Sequence, residues 1–187
     1  LGISFYTFQI VGYYIDLYRG DTHHARSLLQ YTVFVTFFAQ LIAGPIMRGR
    51  EYLPQLSSLA GGTKSEIKAG LLLVLMGLVK KVVLADYIAG LVDYRFGLES
   101  YSQPDVWIAA MLFAFQIYFD FSGYVDIALG LARTLGINLP ENFKTPYLST
   151  NPTEFWQRWH ITLSSWFRDY LYIPLGGNRV GRSRELF

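Results

Sequence analysis

His160 stands in the run FWQRWHITLSSWF, with Phe155, Trp156, Trp159, Ile161, Leu163, Trp166 and Phe167 around it. An imidazole among large apolar groups is costly to charge and poorly hydrated. That suits a base that takes a proton from a hydroxyl near neutral pH. The same surroundings suit a structural histidine hydrogen-bonded inside a helix bundle, and the local residues weigh the two evenly. Ser164 follows four residues later, so on a continuous helix Trp156, His160 and Ser164 share one face. A second polar set lies in QIYFDFSGYVDIALGLAR, Gln116 to Arg133. Gln116 and Asp120 share a face near Gly123, and Asp126 falls on another face with Arg133. Asp120 and Gln116 can orient a catalytic group or line a polar path. The competing reading is helix–helix adhesion, with Ser122 and Gly123 letting two backbones approach. Adhesion is favoured for Asp126 with Arg133, and a functional role for Asp120.

Other polar positions read as structural. Lys80 and Lys81 interrupt an apolar stretch and must snorkel or face protein; they can attract an anionic donor, but snorkelling or lipid-headgroup contact is preferred to that. Gln40, Gly44–Pro45 and Arg48 read as a helix end with basic flanks. His23 and His24 are adjacent, so on a helix they diverge and make a poor metal pair. Gly176–Gly177 lacks the Gly-Lys-Ser/Thr that a phosphate loop needs. There is no cysteine, which excludes disulfides, thiolate-held zinc and thiol catalysis within these residues.

The elements that position these groups are long and apolar. Apolar residues make up 52% and charged residues 16%, against about 25% charged in soluble domains. Five stretches stand out: 1–17, 28–47, 69–92, 106–132 and a more polar, aromatic one over 152–173. A span needs about 20 mostly apolar residues. The first four are therefore expected to cross a membrane, and the fifth to be buried in protein or re-entrant. Asn151 can cap that fifth helix, with Pro152 at its first position and Glu154 paired to Arg158. The fold class is all-α: a polytopic membrane protein, a multi-helix bundle with a re-entrant or buried amphipathic helix. If all four stretches cross, the two groups of loops carry six and three Lys/Arg, and the richer side is cytoplasmic. A net charge of +2 and the absence of a basic aromatic face argue against nucleic acid. The start at Leu1 inside an apolar run and the end at Phe187 read as one domain, 1–187, truncated at both ends.

Seven strings together resemble the membrane-bound O-acyltransferase family, in its bacterial branch acting on surface polysaccharides. They are SFYTFQ (Ser4–Gln9), YYIDLYRG (Tyr13–Gly20), QLIAGPIMR (Gln40–Arg48), GLVKKVVLAD (Gly77–Asp86), YFDFSGYVDIALGLAR (Tyr118–Arg133), NF-x-x-PY (Asn142–Tyr147) and FWQRWHITLSSWFRDYLYIPLGGNR (Phe155–Arg179). Ala39 replaces a proline expected in this branch. The resemblance implies an acetyltransferase of the bacterial inner membrane that uses an acyl thioester, acetyl-CoA by default, as co-substrate. It implies no bound cofactor and no metal. The acceptor would be a polysaccharide such as alginate, cellulose, peptidoglycan or teichoic acid, and a periplasmic acetyltransferase would be a partner protein. His160 matches the histidine of the family's WH motif, and a second histidine is expected downstream of Phe187. The alternative is a translocation subunit that passes acetyl to a periplasmic transferase, with Gln116, Asp120 and His160 lining a path.

Overall fold

A computed structural model describes residues 3–41, 43–98 and 102–179. The two ends, on which the expectation of a truncated domain rests, lie outside the described residues. Within them the chain is helical, and the sole β feature is an isolated antiparallel bridge between Phe143 and Trp159. The helices are α1 (Ile3–Arg19), α2 (Leu28–Thr36), α3 (Gly49–Ser57), α4 (Lys64–Leu78), α5 (Asp86–Phe96), α6 (Gln103–Thr134), α7 (Pro152–Arg158) and α8 (Ile161–Phe167). They fall into two compact units: Ala60–Asn138, and Leu1–Leu59 with Leu139–Phe187.

The first of these units is an antiparallel hairpin. A π-helical segment, Val79–Ala85, joins α4 to α5, and α6 returns alongside. Each arm starts with a capping box, Thr63 with Glu66 and Ser102 with Asp105, which satisfies backbone N–H groups that the first turn leaves unpaired. Glycines seven apart on both arms meet in register: a Cβ on Gly130 would lie 2.5 Å from the Gly70 carbonyl oxygen, and one on Gly77 2.5 Å from that of Gly123. The close approach attributed to Gly123 is thus present, with α4 as its partner. Both lysines face carboxylates of the protein. Lys80 pairs with Asp126 at 2.5 Å, and Lys81 with Asp120 at 2.5 Å and Asp86 at 3.1 Å. Asp126 thus bonds across the hairpin to the facing arm, the helix–helix adhesion expected of it. Leu71, Leu75 and Met76 on α4 and Trp107, Met111 and Phe115 on α6 face outward. Such an apolar exterior suits a hydrocarbon solvent.

Among the described residues α6 is the one helix long and apolar enough to cross a membrane. The run 28–47 is not a single span. α2 stops at Thr36, where Phe37 turns to ψ 118°, and a 3-10 turn, Phe38–Gln40, follows. The chain then continues without helix to Arg48. Apolar composition over 20 residues measured hydrophobicity correctly but did not register this break.

The second unit packs α1 against α2, α3 and the segment after α7. Phe34 and Tyr52 are fully buried, with ring centres 5.7 Å apart, and Tyr13 lies 5.6 Å from Phe34. Gln9 on α1 donates to the Phe34 carbonyl at 2.6 Å. On a neighbouring face of α1, the Trp166 indole donates to the Phe8 carbonyl at 2.9 Å, and the Tyr170 hydroxyl donates to Asp16 at 2.7 Å. These bonds tie the segment carrying His160 to the body of its unit.

Candidate functional site

The helix expected over 152–173 is two helices with a break between them. Its start is as expected: Asn151 accepts from the Glu154 N–H at 2.8 Å, Pro152 is the first helical residue, and Arg158 bonds Glu154 at 2.6 Å. α7 then ends at Arg158, because the upstream segment 142–144 competes for its backbone. Lys144 N–H donates to the Arg158 carbonyl at 2.9 Å, Phe143 bridges Trp159, and Ile161 N–H donates to the Asn142 carbonyl at 3.0 Å. The clip forces His160 to φ 43°, in the left-handed region, and α8 begins at the next residue. A second left-handed residue, Thr145 at φ 45°, turns the other side of the clip. Such conformations cost a non-glycine residue roughly 1–2 kcal/mol, so the surrounding bonds must hold them.

Asn142 supplies much of that hold. It is fully buried, and its Oδ1 accepts from both the backbone N–H of Thr162 (3.1 Å) and its hydroxyl (2.7 Å). The Thr162 hydroxyl in turn accepts from the Ile46 N–H at 3.0 Å. The left-handed His160 offers no side-chain cap to α8, so Asn142 caps that helix from a distant segment, meeting an N–H that the first turn leaves orphaned. His160 itself is 6% exposed and stacks on Phe5, ring centres 6.1 Å apart. It lies outside the one membrane-length helix, and burial lowers its pKa from 6.5 to about 4. The imidazole is therefore neutral at pH 7 and able to accept a proton.

The other expected site residues have different placements. Ser164 is beside His160 in the chain, but its hydroxyl donates to the Trp159 carbonyl at 3.3 Å while its N–H bonds the His160 carbonyl at 3.0 Å. It shapes the turn. Trp156 is more than half exposed, so the shared face of Trp156, His160 and Ser164 is not formed; the break at 159–160 rotates α8 out of register with α7. Gln116 and Asp120 belong to the hairpin unit. Asp120 is committed to Lys81, and the buried Gln116 Oε1 has no partner among the described residues. Gln40 is 4% exposed, and its side-chain amide finds no partner among the described residues, which a plain helix end does not require.

Sequence reasoning passed over a second polar cluster. Asp169 receives hydrogen bonds from Arg48 and Arg168, and its carbonyl receives one from Arg19 at 3.3 Å. Arg19 and Arg48 both lie over the Tyr170 ring, 5.6 and 5.3 Å from its centre. Burial alone would raise the Asp169 carboxyl, but the two arginines outweigh it and hold it below the usual range. Burial, and then the bond to Asp16, raises the Tyr170 hydroxyl, so it stays a donor. The signal was Asp16 in an apolar run and the adjacent Arg168–Asp169. Among the described residues no three His, Asp or Glu groups gather as a metal site would require.

A family model described as the membrane-bound O-acyltransferase family matches residues 3–187. The chain is 47% identical over 181 residues to the probable alginate O-acetylase AlgI of Pseudomonas fluorescens, which covers 97% of this chain and 36% of that protein. It is 41% identical over 207 residues to a peptidoglycan O-acetyltransferase of Helicobacter pylori, covering 96% of this chain and 39% of the relative. It is 30% identical over 196 residues to a teichoic acid D-alanyltransferase of Streptococcus thermophilus, covering 99% and 47%. The chain thus spans between a third and a half of the length of these relatives.

Proposed function

The chain belongs to the membrane-bound O-acyltransferase family, and on that premise we propose that the complete protein transfers acetyl from a thioester donor to hydroxyls of a surface or exopolysaccharide such as alginate. The donor we propose is acetyl-CoA. The protein would act as a multi-pass protein of the bacterial inner membrane, with a periplasmic acetyltransferase as partner. The names of the relatives, each a transferase or acetylase of a bacterial polymer, support the acceptor class.

The observation that carries the reading is His160: a buried, neutral imidazole fixed at a helix junction by bonds to a distant segment. In the proposed step the unprotonated imidazole takes the proton of the acceptor hydroxyl as that oxygen attacks the acyl carbonyl. The oxygen–carbon bond forms and the carbonyl pair moves onto oxygen. The intermediate then collapses with loss of the thiolate, which recovers the proton from the imidazolium. Enclosure keeps water from hydrolysing the thioester.

The test uses the complete protein in detergent with labelled acetyl-CoA and a soluble glycan. Wild type forms acetyl ester, and His160→Ala lowers the rate by about 10²–10⁴-fold, the usual worth of a general base. Ester formation by the variant at the wild-type rate overturns the assignment. In vesicles, acetyl that crosses the bilayer with no ester formed points instead to a translocation subunit.

A further inference from the structure

The Asn142 side chain has a second half that the fold does not use. Its oxygen is fixed by chemistry: a backbone N–H can only donate, so the atom facing Thr162 N at 3.1 Å is Oδ1. The Thr162 hydroxyl gives the same answer. It accepts from the Ile46 N–H at 3.0 Å and so directs its own proton to Oδ1 at 2.7 Å. Nδ2, with two N–H bonds, therefore points away from this network. It is buried and meets no acceptor among the described residues. Buried donors are ordinarily paired, and one left over in an ordered site marks a place where water or a ligand oxygen belongs. The carbonyl of the same residue accepts from the N–H of Ile161, the residue after His160. Asn142 thus flanks His160 with one rigid side holding the turn and one donor unspent.

We propose that Asn142 Nδ2 is a catalytic residue of the acyl-transfer site, donating to the oxygen of the acyl carbonyl as it becomes the oxyanion of the tetrahedral intermediate. The inference rests on the function proposed above, in which His160 is the base. It adds the electrostatic half of the step: the electron pair leaving the C=O bond arrives beside a prepositioned N–H, in a site that need not reorganise. When the intermediate collapses the pair returns, the carbon–sulfur bond breaks, and Nδ2 keeps both of its protons throughout. Because Oδ1 is tied to Thr162, the donor has no freedom to rotate away, which is the condition for preorganisation.

Asn142→Asp separates the two halves. It keeps an oxygen for the two Thr162 donors and replaces Nδ2 by an oxygen that donates only when protonated. In the complete protein with acetyl-CoA and glycan, kcat at pH 8 is expected to fall by about 10²–10³-fold, the worth of one oxyanion donor, with KM little changed. The rate should then recover toward pH 6 as the carboxyl regains a proton, whereas wild type does not rise. A variant with wild-type kcat, or one whose deficit is the same at every pH, overturns the inference. If the variant does not fold, the wild-type protein decides: infrared spectra of bound 1-¹³C-acetyl-CoA should show the carbonyl band at lower frequency than in solution, and an unshifted band overturns the inference. If wild type forms no ester from acetyl-CoA, the proposed function fails. If wild type works and Asn142→Asp works equally well, the function stands and the role of Asn142 falls.

Discussion

The glycine seam between α4 and α6 can be tested with one substitution made twice. At Gly130 an added Cβ would lie 2.5 Å from the Gly70 carbonyl oxygen and 2.9 Å from Val74 N, both backbone atoms that cannot rotate aside. Ordinary contact begins near 3.4 Å, so the two helices must part by roughly 0.9 Å there. Overpacking of this kind costs about 1–3 kcal/mol. At Gly90 in α5 a Cβ would meet nothing within 4 Å. Alanine is favoured over glycine in a helix interior by about 0.8–1 kcal/mol, and that gain applies at both positions. Gly90→Ala should therefore stabilise by up to about 1 kcal/mol, while Gly130→Ala should be neutral or destabilising by as much as about 2 kcal/mol. Their difference, roughly 1–3 kcal/mol, isolates the seam because helix propensity cancels. Reversible unfolding in mixed micelles, followed by circular dichroism, measures both. Equal effects of the two substitutions would mean that the arms are not packed backbone to backbone, and the argument for the seam would fail.

Two further outcomes concern the site. Thr162→Val removes the hydroxyl that links Ile46 to Asn142 and strands the buried Ile46 N–H, so a loss of about 1–3 kcal/mol is expected; the same unfolding assay checks it, and the cost should shrink in an Asn142→Ala background, where half of the link is already gone. The pH dependence of stability should report His160. Its folded pKa of about 4 lies below the unfolded value of 6.5, so between those values the unfolded chain binds the proton first. Stability is then retained above about pH 6.5 and lost as pH falls toward 4, by roughly 3 kcal/mol at 1.36 kcal/mol per pK unit. Denaturant titrations of wild type and His160→Gln across that range should converge at acid pH; parallel curves would remove the buried imidazole from the explanation.

Local chemistry was legible in the sequence and distant chemistry was not. Asn151, Pro152 and the Glu154–Arg158 pair act within one turn of helix, and their spacing alone places them. The break at His160 is invisible on that scale, since residues 155–173 carry an uninterrupted helical pattern and the competing bonds come from Asn142 and Lys144. Asn142 was noticed only as a letter in NF-x-x-PY; nothing nearby indicates that it caps a helix beginning nineteen residues later. The lysine pair left two outcomes open, snorkelling or facing protein, for a related reason. Charges inside an apolar stretch invite snorkelling, unless a neighbouring helix offers carboxylates at the right height, as Asp120 and Asp126 do. Phe37, at which α2 ends, is neither glycine nor proline and so gives no breaker signal, and its ring packs against Tyr52, ring centres 5.4 Å apart.

The left-handed backbone at position 160 also limits which residues can ever replace the histidine. β-branched and bulky side chains are strongly disfavoured at φ 43°, while glycine is at ease there and asparagine, aspartate and histidine are the side chains that visit it most readily. The mutational neighbourhood compatible with this turn is therefore small, and it is made almost entirely of residues able to hold a hydrogen bond. Only histidine among them can exchange a proton near neutrality as an uncharged base. A line of descent that gave up the imidazole while keeping the fold would be channelled toward an amide or a carboxylate at this point, and its chemistry would have to find its base elsewhere.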